Sequence, residues 1–423
     1  MLAARASTRN VQRIARSFAT VVDSAGVKVA AIDNNQPTSS ITFLVKAGSR
    51  YEPKAGVAHG LKNFAFKSTA KRSALGTVRE SELYGGLLSA NLSREHLALT
   101  AEFLRGDEQF FVDVLSSFIT SGKFTRHEFE EYVTPVMQSE VELSNSDPAI
   151  HALELAHVLA FRSGLGSSLY ATPHTHLTAD DIKAFAQSAF TQGNIAVLGT
   201  GIDQEVLTKL VQQSLNKIST SSGLTSSPSS YFGGETRIQS HGGSQTVFIG
   251  FGSAGAPAAE LAVLNGHLSP APSVKWSKGL SPIAASVPEG TSVQTVYLPY
   301  SDASLFGVLI QGSTGASVKE AGKAAVAALK SASSLKGDDL KKAVAKAKFA
   351  AAAAAESREG LVFSLGSKVL SGQTSALDAT LSVLDKVSES TISKAASTLV
   401  GAKPTYVAIG DVSTLPYADE LGL

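Results

Sequence analysis

The sequence predicts an α/β (α+β) fold made of two similar domains, and three observations carry that reading. Short β-branched runs alternate with helical stretches from residue 27 onward. Ser219 to Ser230 holds nine serines and threonines and one large apolar residue, Leu224, which is the composition of a flexible surface linker. Two strand patterns, Asn194-Ile195-Ala196-Val197-Leu198-Gly199 and Thr405-Tyr406-Val407-Ala408-Ile409-Gly410, each follow a helix and end in glycine and a turn. They stand 211 residues apart, half the chain, as a duplication would place them. The organisation expected is a leader at 1–18, an N-terminal domain at 19–218, a Ser/Gly-rich linker at 219–240 and a C-terminal domain at 241–423.

Residues 1–18 carry Arg5, Arg9, Arg13 and Arg16 at spacings of four, four and three, with Ser7, Thr8 and Ser17 and no acid. A helix would gather the arginines on one side, with Leu2, Val11, Ile14 and Phe18 as apolar positions. An Arg-rich, Ser-containing, acid-poor amphipathic leader is the mark of a mitochondrial transit peptide. Arg16-Ser17-Phe18-Ala19-Thr20 is similar to a matrix processing site with cleavage between Phe18 and Ala19. Its removal takes the formal net charge from +1 to −3.

The first domain then reads in order. Val27–Ile32 and Ile41–Val45 are strands, as is Leu97–Phe103. Gln109–Ser121 is a helix with Phe110, Val114, Leu115 and Phe118 on one face. Phe129–Ser144 is a second helical stretch, broken or kinked at Pro135. Asp147-Pro148 turns into a helix over Ile150–Phe161. His174-x-His176 has the look of a metal pair, but two histidines in a loop before a helix are more often solvated. Thr178, with Asp181 three residues on, caps a helix over Ile182–Phe190. The strand 194–199 and a helix over Gln204–Leu215 complete the domain.

The second domain opens with the strand Gln245–Ile249, then Gly250-Phe251-Gly252-Ser253-Ala254-Gly255, then a helix from Pro257 to His267. The glycines match the dinucleotide fingerprint, but residues 265–275 hold no carboxylate where the ribose-binding acid belongs. Glycines required by a tight strand-to-helix turn are the simpler expectation. Val344–Glu356, with six consecutive alanines at 350–355, is a helix able to pack closely on a neighbour. Leu361–Leu370 continues the helical run, and the strand from Thr405 closes the domain.

Composition removes several classes of function. There are no cysteines, so disulfides, thiol nucleophiles, Cys-held zinc and Cys-held iron–sulfur clusters are excluded. A net charge of +1 does not suit a nucleic-acid binder. No run of 18 apolar residues exists to cross a membrane, so any work at a membrane goes through docking on something else.

The chemistry-bearing stretch is Gly56-Val57-Ala58-His59-Gly60-Leu61-Lys62-Asn63-Phe64-Ala65-Phe66-Lys67-Ser68-Thr69, which starts a helix after a strand. On a helix His59 and Asn63 stand four apart and share a face, with Lys62 beside them. That is the geometry of the inverted zinc motif H-x-x-E-H, in which two imidazoles hold the metal and the Glu handles the proton of the attacking water. The Glu position is Lys62 here and the second His position is Asn63. With Gly-x-Ala before the His and Phe-Lys-x-Thr after it, the stretch resembles the pitrilysin-type metallopeptidases, including the mitochondrial processing peptidase subunits and their relatives. That family uses a distal carboxylate ligand on a later helix, a position that Glu140 matches.

The resemblance covers nearly the whole chain after the leader. It continues through Tyr231-x-Gly233-Gly234-Glu235-x-Arg237, Val274–Pro282, Tyr300–Gly307 and Val407–Tyr417. It implies the pitrilysin-type fold, each domain a mixed β-sheet with packed helices. The residues depart from the pattern where chemistry is required. An amide is a poor zinc ligand, and an ammonium accepts no proton. The degenerate site at His59, Lys62, Asn63 and Glu140 therefore predicts no catalytic residue, no metal and no proteolysis.

Within the family the likeness is to members that serve a mitochondrial respiratory-chain complex. It implies a matrix-side subunit, peripheral to the inner membrane and without a cofactor of its own. Its implied partners are a second subunit of the same family, cytochrome b and cytochrome c1, within a dimeric complex. The alternative is the non-catalytic, substrate-recognition alpha subunit of the processing peptidase, but the glycine-rich loop of that subunit has no counterpart beyond Gly250–Gly255. N-terminal sequencing of the protein from mitochondria should return Ala19 as the first residue; intact Met1 would refute the leader.

Overall fold

β-Branched and aromatic runs build two sheets of the same order. The computed structural model describes residues 21–423, leaving out 25, 34, 173, 217, 221–222, 256–257, 273, 275, 277–278, 280, 371–376 and the side chains of 363, 365 and 367. The leader, the processing site at Phe18 and Ala19, and parts of the stretch 274–282 lie outside the described residues. The helices that build the cores are α1 (Val57–Asn63), α2 (Glu108–Ser121), α3 (Thr134–Ser146), α4 (Pro148–Phe161), α5 (Ala179–Ala189) and α6 (Gln204–Leu215). They continue with α7 (Ala259–Leu268), α8 (Gly315–Ser331), α9 (Gly337–Glu356), α10 (Arg358–Leu370) and α11 (Glu389–Gly401).

The chain divides into two compact units. The first comprises Met1–Val141, Leu169–Ser226 and Ala352–Thr380. Its strands are β1 (Val22–Ser24), β2 (Val27–Ile32), β3 (Thr38–Val45), β4 (Leu87–Leu92), β5 (Leu97–Leu104) and β6 (Ile195–Thr200), arranged β1-β2-β6-β3-β5-β4. Only β2 and β6 pair in parallel. The central strands β3 and β6 are buried almost from end to end because both faces are covered, whereas edge strand β4 alternates exposed and half-buried residues. One face carries the main core, in which Ile41, Phe43 and Val45 of β3 meet Phe111 and Leu115 of α2, Phe185 of α5 and Leu207 of α6. The other face is paved with small residues, Ala30 and Ala196, and is covered by α10 through Val369. That helix lies close: a Cβ on Gly366 would stand 2.4 Å from Leu44 Cδ2.

The second unit comprises Glu142–Ser168, Ser227–Ala351 and Leu381–Leu423. Its strands β7 (Gly234–Gln239), β8 (Gln245–Ala254), β9 (Ser292–Pro299), β10 (Ala303–Gly312) and β11 (Thr405–Gly410) are arranged β7-β11-β8-β10-β9. This is the order of the first sheet without β1. The first and last strands of each set pair in parallel, β2 with β6 and β7 with β11, and the rest are antiparallel. The two strand patterns that suggested a duplication are β6 and β11, in equivalent places. Helices α7, α8 and α11 cover one face of the second sheet, and α4 covers the other through Ala152, Ala156 and Phe161. Helices α4 and α10 thus play matching parts, and they begin 210 residues apart, the same interval as β6 and β11. Each unit therefore takes segments from both sides of residues 219–240.

Several expectations change in detail. Gly250 and Gly252 lie inside β8 and not in a turn. A Cβ on Gly252 would stand 2.2 Å from the Tyr231 ring, and one on Gly250 2.4 Å from the Phe248 ring. Glycine is required there for side-chain approach, and no phosphate-cradling loop exists at those residues. Helix α7 starts at Ala259, with Pro257 outside the described residues. Pro135 does not break the helical run, because a π-helical segment, Phe129–Val133, precedes it. Thr134 N–H donates to the Phe129 carbonyl, five residues back, and this register absorbs the missing donor of the proline.

Residues 234–239, assigned to the linker by composition, form β7. The described residues before them have no regular structure but are strapped down. Leu224 N–H donates to Asn194 Oδ1 at 3.0 Å, Arg50 Nε donates to Ser226 Oγ at 2.8 Å, and Ser229 N–H donates to Asp302 Oδ2 at 2.9 Å. Helix α9 packs closely on α7 at Ala343 and Ala347, where a Cβ on Gly266 would stand 2.9 Å from the Ala343 carbonyl, whereas the six alanines at 350–355 are exposed or half-buried and do not make the close contact. Among the described residues no helix is long and apolar enough to cross a membrane.

Candidate functional site

Helix α1 is positioned by two glycines and a carboxylate. Gly56 precedes it at φ +83°, and a Cβ there would stand 2.5 Å from Ala171 Cβ, so no other residue fits without displacement. Gly60 lets the helix press against α5, since a Cβ would stand 2.4 Å from Ile182 Cδ1. Glu52 Oε2 accepts from Gly56 N–H at 3.1 Å and Ala58 N–H at 3.3 Å, satisfying donors that the helix start leaves free. Burial pushes the Glu52 carboxyl up to about 7, although both backbone N–H groups pull the other way.

His59, Lys62 and Asn63 leave this helix on one face, and all three reach Glu140 of α3. His59 Nε2 lies 2.6 Å from Glu140 Oε2, and Asn63 Nδ2 donates to the same oxygen at 2.9 Å. The Lys62 ammonium donates to Glu140 Oε1. Asn63 Nδ2 also lies 3.3 Å from the His59 carbonyl. The His59 ring is buried, Lys62 nearly so, and the Glu140 side chain is 29% exposed. Tyr170 meets the imidazole edge-on, with ring centroids 5.6 Å apart.

The backbone N–H of Ala171 donates to His59 Nδ1 at 3.1 Å. Nδ1 can only accept in that contact, so the ring proton sits on Nε2, which donates to Glu140. Burial works against the Glu140 charge. Hydrogen bonds from His59, Lys62 and Asn63, with the ammonium's positive charge, outweigh burial and hold this carboxyl down at about 2.

A zinc ion needs lone pairs aimed at one point. Nε2 of His59 presents a proton, Asn63 presents N–H, and Lys62 has no lone pair to offer; the Glu140 carboxylate alone is a ligand in kind. The residues present do not fit a zinc centre. His174 and His176 lie in a loop with both side chains exposed. Among the described residues no group of three or more His, Asp or Glu side chains is arranged to hold a metal.

Sequence reasoning named the four polar residues that meet here, and it missed Glu52, Tyr170 and Ala171. A carboxylate four residues before Gly56 is a weak capping signal. The partnership of Ala171 with His59, 112 residues away, has no local signature.

Residues 28–173 match the insulinase family, peptidase family M16. Over 99% of this chain and 98% of the relative, it is 45% identical to "Cytochrome b-c1 complex subunit 2, mitochondrial" of Cryptococcus neoformans. The protein of the same name in Neurospora crassa is 40% identical over 94% of this chain and 90% of its own length. The human protein of that name is 30% identical over the same shares.

The two carboxyls should pull stability in opposite directions with pH. Glu140, depressed, contributes stability above its ordinary value near 4.5, lost as the pH falls through about 2. Glu52, raised, contributes stability below that ordinary value, and this is lost as the pH rises through about 7. Glu52→Gln should therefore flatten the melting profile between pH 5 and 8 and raise stability at pH 8, by at most about 3 kcal/mol. Thermal melts across that range check it; parallel profiles for the two proteins would contradict it.

Proposed function

We propose, from the premise that the chain belongs to the family of mitochondrial cytochrome b-c1 complex subunit 2 proteins, that it is a non-catalytic structural and assembly subunit of ubiquinol–cytochrome c reductase, respiratory-chain complex III. The observation that carries this is the length of the likeness: it runs through both units, over 99% of the chain. The relatives bear the name of the complex and not that of the processing peptidase, which favours the structural reading over the peptidase alpha subunit.

The finer picture is part of the same proposal. The site at His59, Lys62, Asn63 and Glu140 is a degenerate peptidase centre without catalysis or metal. Its inertness is supported by the ammonium of Lys62, which stands where hydrolysis requires a proton acceptor. The subunit lies on the matrix side, peripheral to the inner membrane, and pairs with core protein 1. Through the assembled dimer it supports the subunits that carry electrons, cytochrome b and cytochrome c1, and holds no haem, quinone or iron–sulfur centre itself. The two ancestral halves are residues 19–218 and the chain from β7 onward, and 1–18 is removed between Phe18 and Ala19.

Native electrophoresis of mitochondria solubilised in mild detergent tests the reading. The chain should migrate with a dimeric complex bearing b- and c-type haem spectra, and its loss should deplete that band. Migration with presequence-cleaving activity and apart from the cytochromes would contradict it.

A further inference from the structure

The four residues of the degenerate centre are not scattered relics. His59, Lys62 and Asn63 come from one turn of α1, and every donor they present converges on the two oxygens of Glu140, which stands 77 positions beyond Asn63. The far side of the imidazole is tied to the backbone at Ala171. One connected set of hydrogen bonds therefore joins three parts of the first unit: α1, α3 and the Tyr170–Ala171 segment. Lys62 neutralises the carboxylate one for one. A divalent ion placed there would have to strip the proton from Nε2 and sit beside a positive ammonium with a single carboxylate to offset both charges.

We propose that the Lys62 ammonium, flanked by the N–H groups of His59 and Asn63, has taken over the place and the cross-linking work of a divalent cation, so that the centre is a metal-free latch fastening α1 and the Tyr170–Ala171 segment to α3. This rests on the reading of the centre as inert and adds what the centre does. Metal ions in closed structural sites contribute directly to folding. Here the same contribution comes from side chains that need no metal supply, and loading with zinc gains nothing.

The test uses the full mature chain, with zinc sulfate and a chelator as the probes. Lys62→Met keeps the stem and removes the charge; it should lower the melting temperature by about 5 °C or more. Glu140→Gln should do likewise. The unaltered chain should melt at the same temperature with zinc or with chelator. The double variant Lys62→Glu with Asn63→His, produced in zinc-supplemented medium, should bind one zinc per chain and lose stability when chelated. That arm stands even where Lys62→Met does not fold. Single variants that melt with the parent protein would overturn the latch. A double variant that takes up no zinc would overturn the placement of Lys62 in the cation's position. Zinc that stabilises the unaltered chain would instead contradict the inert-centre reading.

Discussion

One carboxylate, Glu140 on α3, gathers the hydrogen bonds of three side chains on α1. Glu140 is partly withdrawn from water, which alone would disfavour its charge, and three N–H donors from a single helical turn reverse that preference. The arrangement is demanding. Removing any donor leaves a half-buried carboxylate short of a partner, and removing the carboxylate leaves an ammonium among buried groups. The surrounding chain shows what is invested in the geometry. Gly56 and Gly60 exist where a Cβ would collide with Ala171 and Ile182, and Glu52 holds the start of α1 although burial works against its own charge. A loop or a surface helix would not require such close neighbours.

The rest of the molecule repeats one design. Five strands in the same order, with one parallel pair, recur in both units, and in each a helix closes the second face of the sheet. The residues that make closure possible are small: Ala30, Ala196 and Gly366 in the first unit, and Ala152 and Ala156 in the second. These covered sheets bury the apolar cores of both units.

Much of this was legible in the residues. Alternation and apolar runs placed the strands, Asp147 and Thr178 marked helix starts, and the interval between the two glycine-ended strands announced the duplication. His59, Lys62 and Asn63 could be read together because helical spacing places them on one face. Glu140 could be added only through likeness to a family, since nothing local ties it to them. What stayed illegible depends on approach in three dimensions. Gly250 and Gly252 look like a turn in sequence, yet they lie in a strand to make room for Phe248 and Tyr231. Pro135 reads as a break until the π-helical register before it is seen. The segments 142–168 and 352–380 separate from their sequence neighbours because the sheet faces they cover belong to the other half of the repeat, and short-range periodicity carries no trace of this.

The geometry at His59 places a proton on Nε2, facing Glu140. Long-range nitrogen–proton correlation spectra of the mature chain labelled with 15N-histidine observe that proton directly. The expected result is the Nε2–H tautomer for His59, with Nδ1 unprotonated and acting as the acceptor from Ala171. A ring protonated on Nδ1, with Nε2 carrying a free lone pair toward the carboxylate, would contradict it.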